Sequence, residues 1–422
     1  MSDSVAIFAE GTFEDQVKEL VEYVSKPRVD EERTAFIRPF SDALRTQEGD
    51  APFAQSKERR RKVIELVVAE VKGFGDGQER EIEGFFNLLI AQILDTYPAD
   101  ALEAPVKAIL AVVDTATAPS ESAVKFRILT NLFNALARTS PLRVNVAEAL
   151  IALAADDLEV IQLSRPQVEK WLAEWELPLE RKCDFLKTVA DAVAKAGQKD
   201  ASYSYLLDRL RLISASSPLA EPATLETISA ALSLPSVHDF DSLAKIDAVQ
   251  SAKEHPLFAL LKIFMLESVK EYLAWSEQNA ATLTQFSLEN PVLEHKIRLL
   301  TLASLAAQNV GRDLPYGEIA VALQVEASKV EIWVIDAIRA GLLSGKLSQP
   351  TQTLRVTRST TRSFARGEWE TLEKRLATWK SGLLGVLEVV GAARAAAGKD
   401  GRALESTIAA ASGAQQPVPQ AA

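Results

Sequence analysis

Val330-Glu331-Ile332-Trp333-Val334-Ile335-Asp336-Ala337-Ile338-Arg339, followed by Gly341 and by the segments Leu343–Ser348 and Thr353–Ser359, decides the fold. At about 100° per residue, Val330, Trp333, Val334, Ala337 and Ile338 fall on one face, so the first stretch predicts an amphipathic helix. Ser328 stands where such a helix would be capped, and Gly341 where it would stop. In the last segment Leu354 and Val356 alternate with Arg355 and Thr357, the period of a half-buried strand. Gln349-Pro350-Thr351-Gln352 supplies the turn between the two extended segments. Upstream, Pro291 opens a helix over 292–308 with Leu293, Ile297, Leu300 and Leu305 as its core, and 314–323 reads as a short second helix. Three helices and a β-hairpin are the order of a winged helix, a variant of the helix-turn-helix, which we place at 291–365.

Winged helices invite a nucleic-acid reading, and the third helix argues against it. The face opposite its core carries Glu331, Ile332, Ile335, Asp336 and Arg339. Helices that read the major groove present Arg, Lys, Asn or Gln to base edges. Glu331 and Asp336 would oppose phosphate, whereas Ile332 and Ile335, with Arg339 beside them, suit a protein surface. The hairpin is more basic: between Gly345 and Lys380 there are eight Lys or Arg against three acids. Arg355, Arg358 and Arg362 are candidates for contact with RNA or an acidic partner, the plainer reading being a solvated face.

Downstream, Trp369, Leu372, Leu376, Trp379, Leu383, Val386 and Val390 are spaced 3, 4, 3, 4, 3 and 4. Three successive heptads with apolar a and d positions predict a helix over 366–390 that packs lengthwise against other helices, the alternative being that it folds back on its own winged helix. Gly382 and Gly385 each lower its intrinsic stability by about 1 kcal/mol relative to Ala, so its order should depend on that packing. Residues 391–422, rich in Ala, Gly and Gln with Pro417 and Pro419, read as a disordered tail.

Upstream of 291 the chain reads as short amphipathic helices with polar breaks. Val63, Ile64, Val67, Val68 and Val71 form one apolar stripe, and Phe85, Phe86, Leu89, Ile93 and Leu94 the next. Pro119-Ser120-Glu121 and Ser164-Arg165-Pro166 look like helix starts. Phe258, Leu261, Met265, Val269 and Leu273 give a further stripe near the boundary. Helices about 20 residues apart, with no β-type alternation between them, predict a HEAT- or TPR-like solenoid over 57–290 behind an N-terminal helical segment, 1–56; no strict consensus spacing recurs, so ordinary all-α packing is the alternative. The expected fold is therefore mostly α: a helical-repeat solenoid, a winged helix with a small β-hairpin or sheet, and a C-terminal helix.

Composition bounds the chemistry. The 422 residues include 47 Lys+Arg against 58 Asp+Glu, three His and one Cys. Residues 291–390 hold 13 basic and 10 acidic residues and 391–422 one more base than acid, which leaves −15 of the net −11 on 1–290. Such a balance excludes general affinity for nucleic acid. Cys183 alone builds neither a disulfide framework nor a zinc site, so a reducing, cytoplasmic setting is expected. Apolar runs fall short of a membrane span, and Met1–Ile7 lacks the pattern of a secretory signal. His238, His255 and His295 share no ligand spacing, and there is no GxxxxGK[ST] phosphate loop or GxGxxG before a helix. Hence no catalytic residue, metal or cofactor is expected, and the chain is read as a non-enzyme.

Helical repeats running into a winged helix and a trailing helix resemble the PCI-domain family of the proteasome lid, the cullin-deneddylating signalosome and translation initiation factor three. Within it, 330–339, Gly345-Lys346-Leu347-Ser348-Gln349, 357–364, Trp369 with Ala377-Thr378-Trp379-Lys380, 272–279 and 296–301 look most like the subunit M group of the initiation factor. That likeness covers roughly 255–385. It implies a non-catalytic scaffold whose partners are other PCI and MPN subunits of the factor and, through the complex, the small (40S) ribosomal subunit. Signalosome or lid membership, or a winged helix that binds nucleic acid directly, are the alternatives.

Overall fold

The computed structural model describes residues 11–45, 56–115, 122–154, 163–362 and 366–412, with 395–412 as backbone alone. The helix start expected at Pro119-Ser120-Glu121 and the tail from 413 lie outside these residues. Two compact units divide between Ile297 and Arg298, inside the helix Asn290–Gln308.

In the first unit, Phe13–Ser25 and Asp30–Leu44 pack against Lys57–Glu70, and Phe13–Ser25 also meets Glu79–Thr96. The N-terminal segment thus shares one core with the helices after it, from Phe13 and Leu20 through Phe86 to Trp175 and Phe185. Further along, Glu79–Thr96 packs on Ser122–Ala135, Glu103–Thr115 on Leu142–Leu153, and the latter on Leu179–Lys195. Each helix meets the next but one, the signature of stacked helical pairs. Leu179–Lys195 and Lys199–Leu212 form one such pair, turning at Gly197, whose φ of +82° would strain any residue with a Cβ. Aromatic side chains fill the middle: the Phe133 ring lies 5.2 Å from Trp171, and Trp175 lies 5.3 Å from Phe185.

Pro256–Leu266 buries Leu257, Leu260, Leu261, Ile263 and Phe264, whereas Phe258 and Met265 are only half-buried. The expected stripe is corrected by about one residue. All of this helix except Lys262 is apolar, so spacing alone could not select its buried face. His255 sets the start of the helix, its Nδ1 accepting from the Leu257 N–H at 3.1 Å.

The second unit contains, after the helix Asn290–Gln308 (α1), strand Asp313–Pro315 (β1), helices Tyr316–Leu323 (α2) and Val330–Arg339 (α3), strands Leu343–Ser348 (β2) and Thr353–Ser359 (β3), and helix Arg366–Ser412 (α4). This is a winged helix. Its sheet is antiparallel with order β1-β3-β2, and Leu354 faces Leu314 on one side and Leu347 on the other. Strand β1 takes three residues that the sequence places next to or within the second helix, where so short a run has no period to read. Leu314, Ile319, Leu323, Val330, Val334, Ala337, Leu354 and Val356 are fully buried. Trp333 and Ile338 are half-buried, with the Arg298 guanidinium 5.4 Å from the Trp333 ring centre. Ser328 does not cap α3: it lies in a 3₁₀ turn, Ala327–Lys329, and its hydroxyl bonds to the Glu326 carboxylate at 3.3 Å.

The end expected for the last helix at Val390 is also corrected, since α4 continues to Ser412. Composition suggests disorder there, but Ala392, Ala393 and the alanines at 395–397, 403 and 409–411 have the highest helix propensity and offset Gly391 and the glycines at 398 and 401.

One buried charge ties the first unit together. Lys296 is 2% exposed, and its ammonium donates to the carbonyls of Ala231 at 2.7 Å, Leu232 at 3.4 Å and Leu234 at 2.7 Å. These oxygens close the helix Ala220–Ser233, so the lysine satisfies acceptors orphaned at a helix C-terminus. Phe240 lies beneath it, 4.9 Å from ring centre to nitrogen. Burial pushes the Lys296 pKa from 10.5 down to about 7. Between those values the unfolded chain binds more protons than the fold, so the lysine's contribution to stability rises with pH across that window and is flat below it. Melting temperatures measured from pH 7 to 10 should therefore climb more steeply for the wild type than for Lys296→Met; parallel curves would contradict this account.

Candidate functional site

Helix α4 presents its apolar side chains to water. Among the described side chains between Arg366 and Arg394, all are exposed except that of Glu368, which is half-buried. The seven heptad residues range from 38% exposed at Leu372 to 66% at Trp379. Trp369, Leu376, Leu383, Val386 and Val390 lie between those limits. Contact with α1 comes through Arg375, whose Nη2 donates to the Ala307 carbonyl at 3.4 Å.

Leu384, Leu387 and Val389 are as bare as the heptad residues, and periodicity does not select them because they fall outside the 3,4 spacing. The signal is nonetheless present in the register. From Leu383 to Val389 only Gly385 and Glu388 are not apolar, so the seam widens until it nearly encircles the helix. A two-helix seam covers a and d alone; apolar flanks need further helices beside them. By length and composition, one 18-residue window of α4 is also apolar enough to cross a membrane, which corrects the expectation that no run is long enough. Lys380 and Glu388 fall inside that window. A charged side chain deep in a bilayer costs about 3 kcal/mol, a cost that packing against protein does not impose on a solvated helix face.

On α3, Ile332 is 60% and Ile335 40% exposed, and Arg339 is exposed beside them. The acids of this face have partners within the unit. Asp336 pairs with Arg339 at 3.9 Å, and the Tyr316 hydroxyl donates to Glu331 at 3.4 Å. The helix thus offers two bare aliphatic side chains within a nearly neutral surround.

The wing has an irregular register. Gly345 pairs with Val356 but Ser344 with Arg358, so Thr357 is an extra residue in β3. Side chains three apart in a regular strand point to opposite faces, whereas the added residue leaves Arg355, Thr357 and Arg358 all exposed. The Thr357 hydroxyl donates to the Ser344 carbonyl at 2.8 Å. Gly345 permits the close approach, because a Cβ there would meet the Arg355 carbonyl oxygen at 2.7 Å. Lys346, exposed on β2, stands directly opposite Arg355.

Arg362 does not join this set. Its Nε donates to the Leu300 carbonyl at 2.9 Å and its Nη2 to the Thr301 hydroxyl at 3.1 Å. Burial pushes its pKa down to about 10. It pins the chain after the wing to α1, which corrects its assignment to an RNA or acidic partner.

Elsewhere, burial raises the Cys183 pKa, so its sulfur stays a thiol. Burial lowers that of His238, whose Nδ1 lies 3.0 Å from the Ser236 carbonyl. Among the described residues no three His, Cys, Asp or Glu side chains gather as a metal site would require.

Two family models match: the PCI domain over residues 277–358, and the C-terminal helix of eIF3 subunit M over 362–390. The chain is 33% identical over 404 residues to eukaryotic translation initiation factor 3 subunit M of Aspergillus oryzae, covering 92% of this chain and 86% of that one. The protein of the same name from Phaeosphaeria nodorum is 30% identical over 402 residues, covering 91% and 88%. That of Emericella nidulans is 33% identical over 412 residues, covering 92% and 89%.

The different settings of the three arginines have different costs. Arg362→Ala leaves a buried carbonyl and hydroxyl without their charged donor and should lower stability by about 1.5–3 kcal/mol. Arg355→Ala and Arg358→Ala should each change it by no more than about 0.5 kcal/mol. Urea unfolding of the full chain measures both, and equal losses at the three positions would refute the distinction.

Proposed function

This chain belongs to the family of eukaryotic translation initiation factor 3 subunit M, and from that premise we propose that it is a non-catalytic scaffold subunit of the factor. The observation that carries this reading is the exposed apolar seam of α4, a surface too large to remain in water on a working protein. Trp369, Leu372, Leu376, Trp379, Leu383, Val386 and Val390 dock against trailing helices of other PCI and MPN subunits, and the widened last heptad takes more than one of them. Ile332, Ile335 and Arg339 on α3 form a second, smaller contact. Residues 57–290 serve as a spacer and support for these elements. Assembled in this way in the cytoplasm, the subunit supports formation of the preinitiation complex on the small ribosomal subunit.

Large aromatic anchors dominate interface energy, so Trp369→Ala and Trp379→Ala should each weaken association by about 2 kcal/mol or more. The fourfold Ala variant at Trp369, Leu372, Leu376 and Trp379 should leave the complex altogether. Tagged full-length wild type and variant, purified from their native cells and compared by mass spectrometry, test this. The wild type should bring down the subunits of initiation factor 3, and the variant should lose them while keeping the helical circular dichroism of the remaining chain. Recovery of signalosome or proteasome-lid subunits instead, or a variant that retains the same partners, would overturn the reading.

A further inference from the structure

Lys346, Arg355 and Arg358 are exposed on the wing, and among the described residues none of them joins an ion pair. Neighbouring cations do: Arg339 pairs with Asp336 and Arg366 with Glu370. Lys346 and Arg355 stand directly opposite each other across β2 and β3. Like charges in that position destabilise a sheet, so the fold gains nothing from the pair. Asp313, in register with Arg355 on β1, is the acid beside them and leaves the face positive. The extra residue at Thr357 keeps Arg358 on the exposed side, and the Cβ-free Gly345 allows the strands to close around it. Two local departures from ideal sheet geometry therefore serve to aim cations outward.

The rest of the face selects the partner. Ser344, Ser348 and Thr353 are half-buried along the same strands, while the exposed Thr357 hydroxyl is already taken by the Ser344 carbonyl. Neither β2 nor β3 exposes an aliphatic or aromatic side chain. A protein interface needs a buried apolar or aromatic anchor at its centre, and this surface has none to offer. A phosphodiester backbone needs Lys and Arg charge with hydroxyl donors around it. Without an aromatic platform there is no stacking on bases, so no base is distinguished. We propose that the outward face of the wing, through Lys346, Arg355 and Arg358, binds the phosphate backbone of RNA without sequence preference. On a chain of net charge −11 this contact is local. It stands on a surface other than the α4 seam and does not rest on the assembly reading.

Fluorescence anisotropy of the full chain with labelled RNA about 20 nucleotides long, one polyuridine and one of mixed sequence, tests the proposal. Three phosphate contacts predict a slope of about −2 in log affinity against log salt, or roughly 15-fold weakening between about 50 and 200 mM. The Lys346→Ala, Arg355→Ala, Arg358→Ala triple variant should bind at least about tenfold more weakly at the lower salt and lose most of that slope. Arg355→Lys with Arg358→Lys should keep both, which separates lost charge from lost folding. No wild-type binding at low salt, a triple variant that binds like the wild type, a tenfold preference between the two RNAs, or binding of poly-glutamate in place of RNA would each overturn it. Loss of RNA binding with intact recovery of the initiation-factor subunits is the expected joint result.

Discussion

Hydrophobic burial, finished in the interior of both units, is left open along α4. Core side chains such as Val17, Leu20 and Phe264 in the first unit, and Leu314 and Val356 in the second, are covered by their own chain. Along α4 they are not. This helix of 47 residues is about 70 Å long at 1.5 Å per residue, and it carries Gly382, Gly385 and Gly391 in its apolar half. Most helical stability in proteins comes from packing of an apolar face, and each glycine takes away about 1 kcal/mol relative to Ala. Packing against neighbours is what could hold such a rod in place.

Charge divides the chain along different lines from hydrophobicity. The acidic 1–290 region repels phosphate, and the buried cations of the first unit work internally. Lys296 closes a helix end, and Arg143 bonds to the Leu136 carbonyl at 3.1 Å with its guanidinium 4.6 Å from the Phe133 ring centre. On α3 the acids are held by Tyr316 and Arg339, which leaves the aliphatic pair as the exposed feature. Uncompensated positive charge is found instead on the wing, on a different element from the apolar seam. The two surfaces are chemically distinct, so one can be altered by mutation without the other.

Much of this was legible from periodicity. The amphipathic helices of the first unit, the order of the winged helix and the 3,4 spacing from Trp369 to Val390 are local patterns, and local patterns survive in sequence. What escaped was set at a distance. Arg362 meets its acceptors on Leu300 and Thr301, more than sixty positions earlier, and Lys296 finds three carbonyls as far back as Ala231. No nearby residue announces either contact. Strand β1 is too short for alternation to show, and the extra residue at Thr357 appears only when β3 is matched to β2. The helical run after Val390 escaped for another reason: a composition of Ala, Gly and Gln suits a solvated coil, but alanine also favours helix more than any other residue.

The exposed tryptophans of α4 also bear on how much of this protein a cell can hold. In the proposed assembly, copies made in excess of their neighbours keep Trp369 and Trp379 in contact with water, where chaperones and degradative enzymes act on unburied apolar surface. Survival then depends on meeting a partner in time. The steady abundance of the subunit would be governed by the supply of its neighbours rather than by its own rate of synthesis, and its matched ratio within the complex would arise from clearance of orphans.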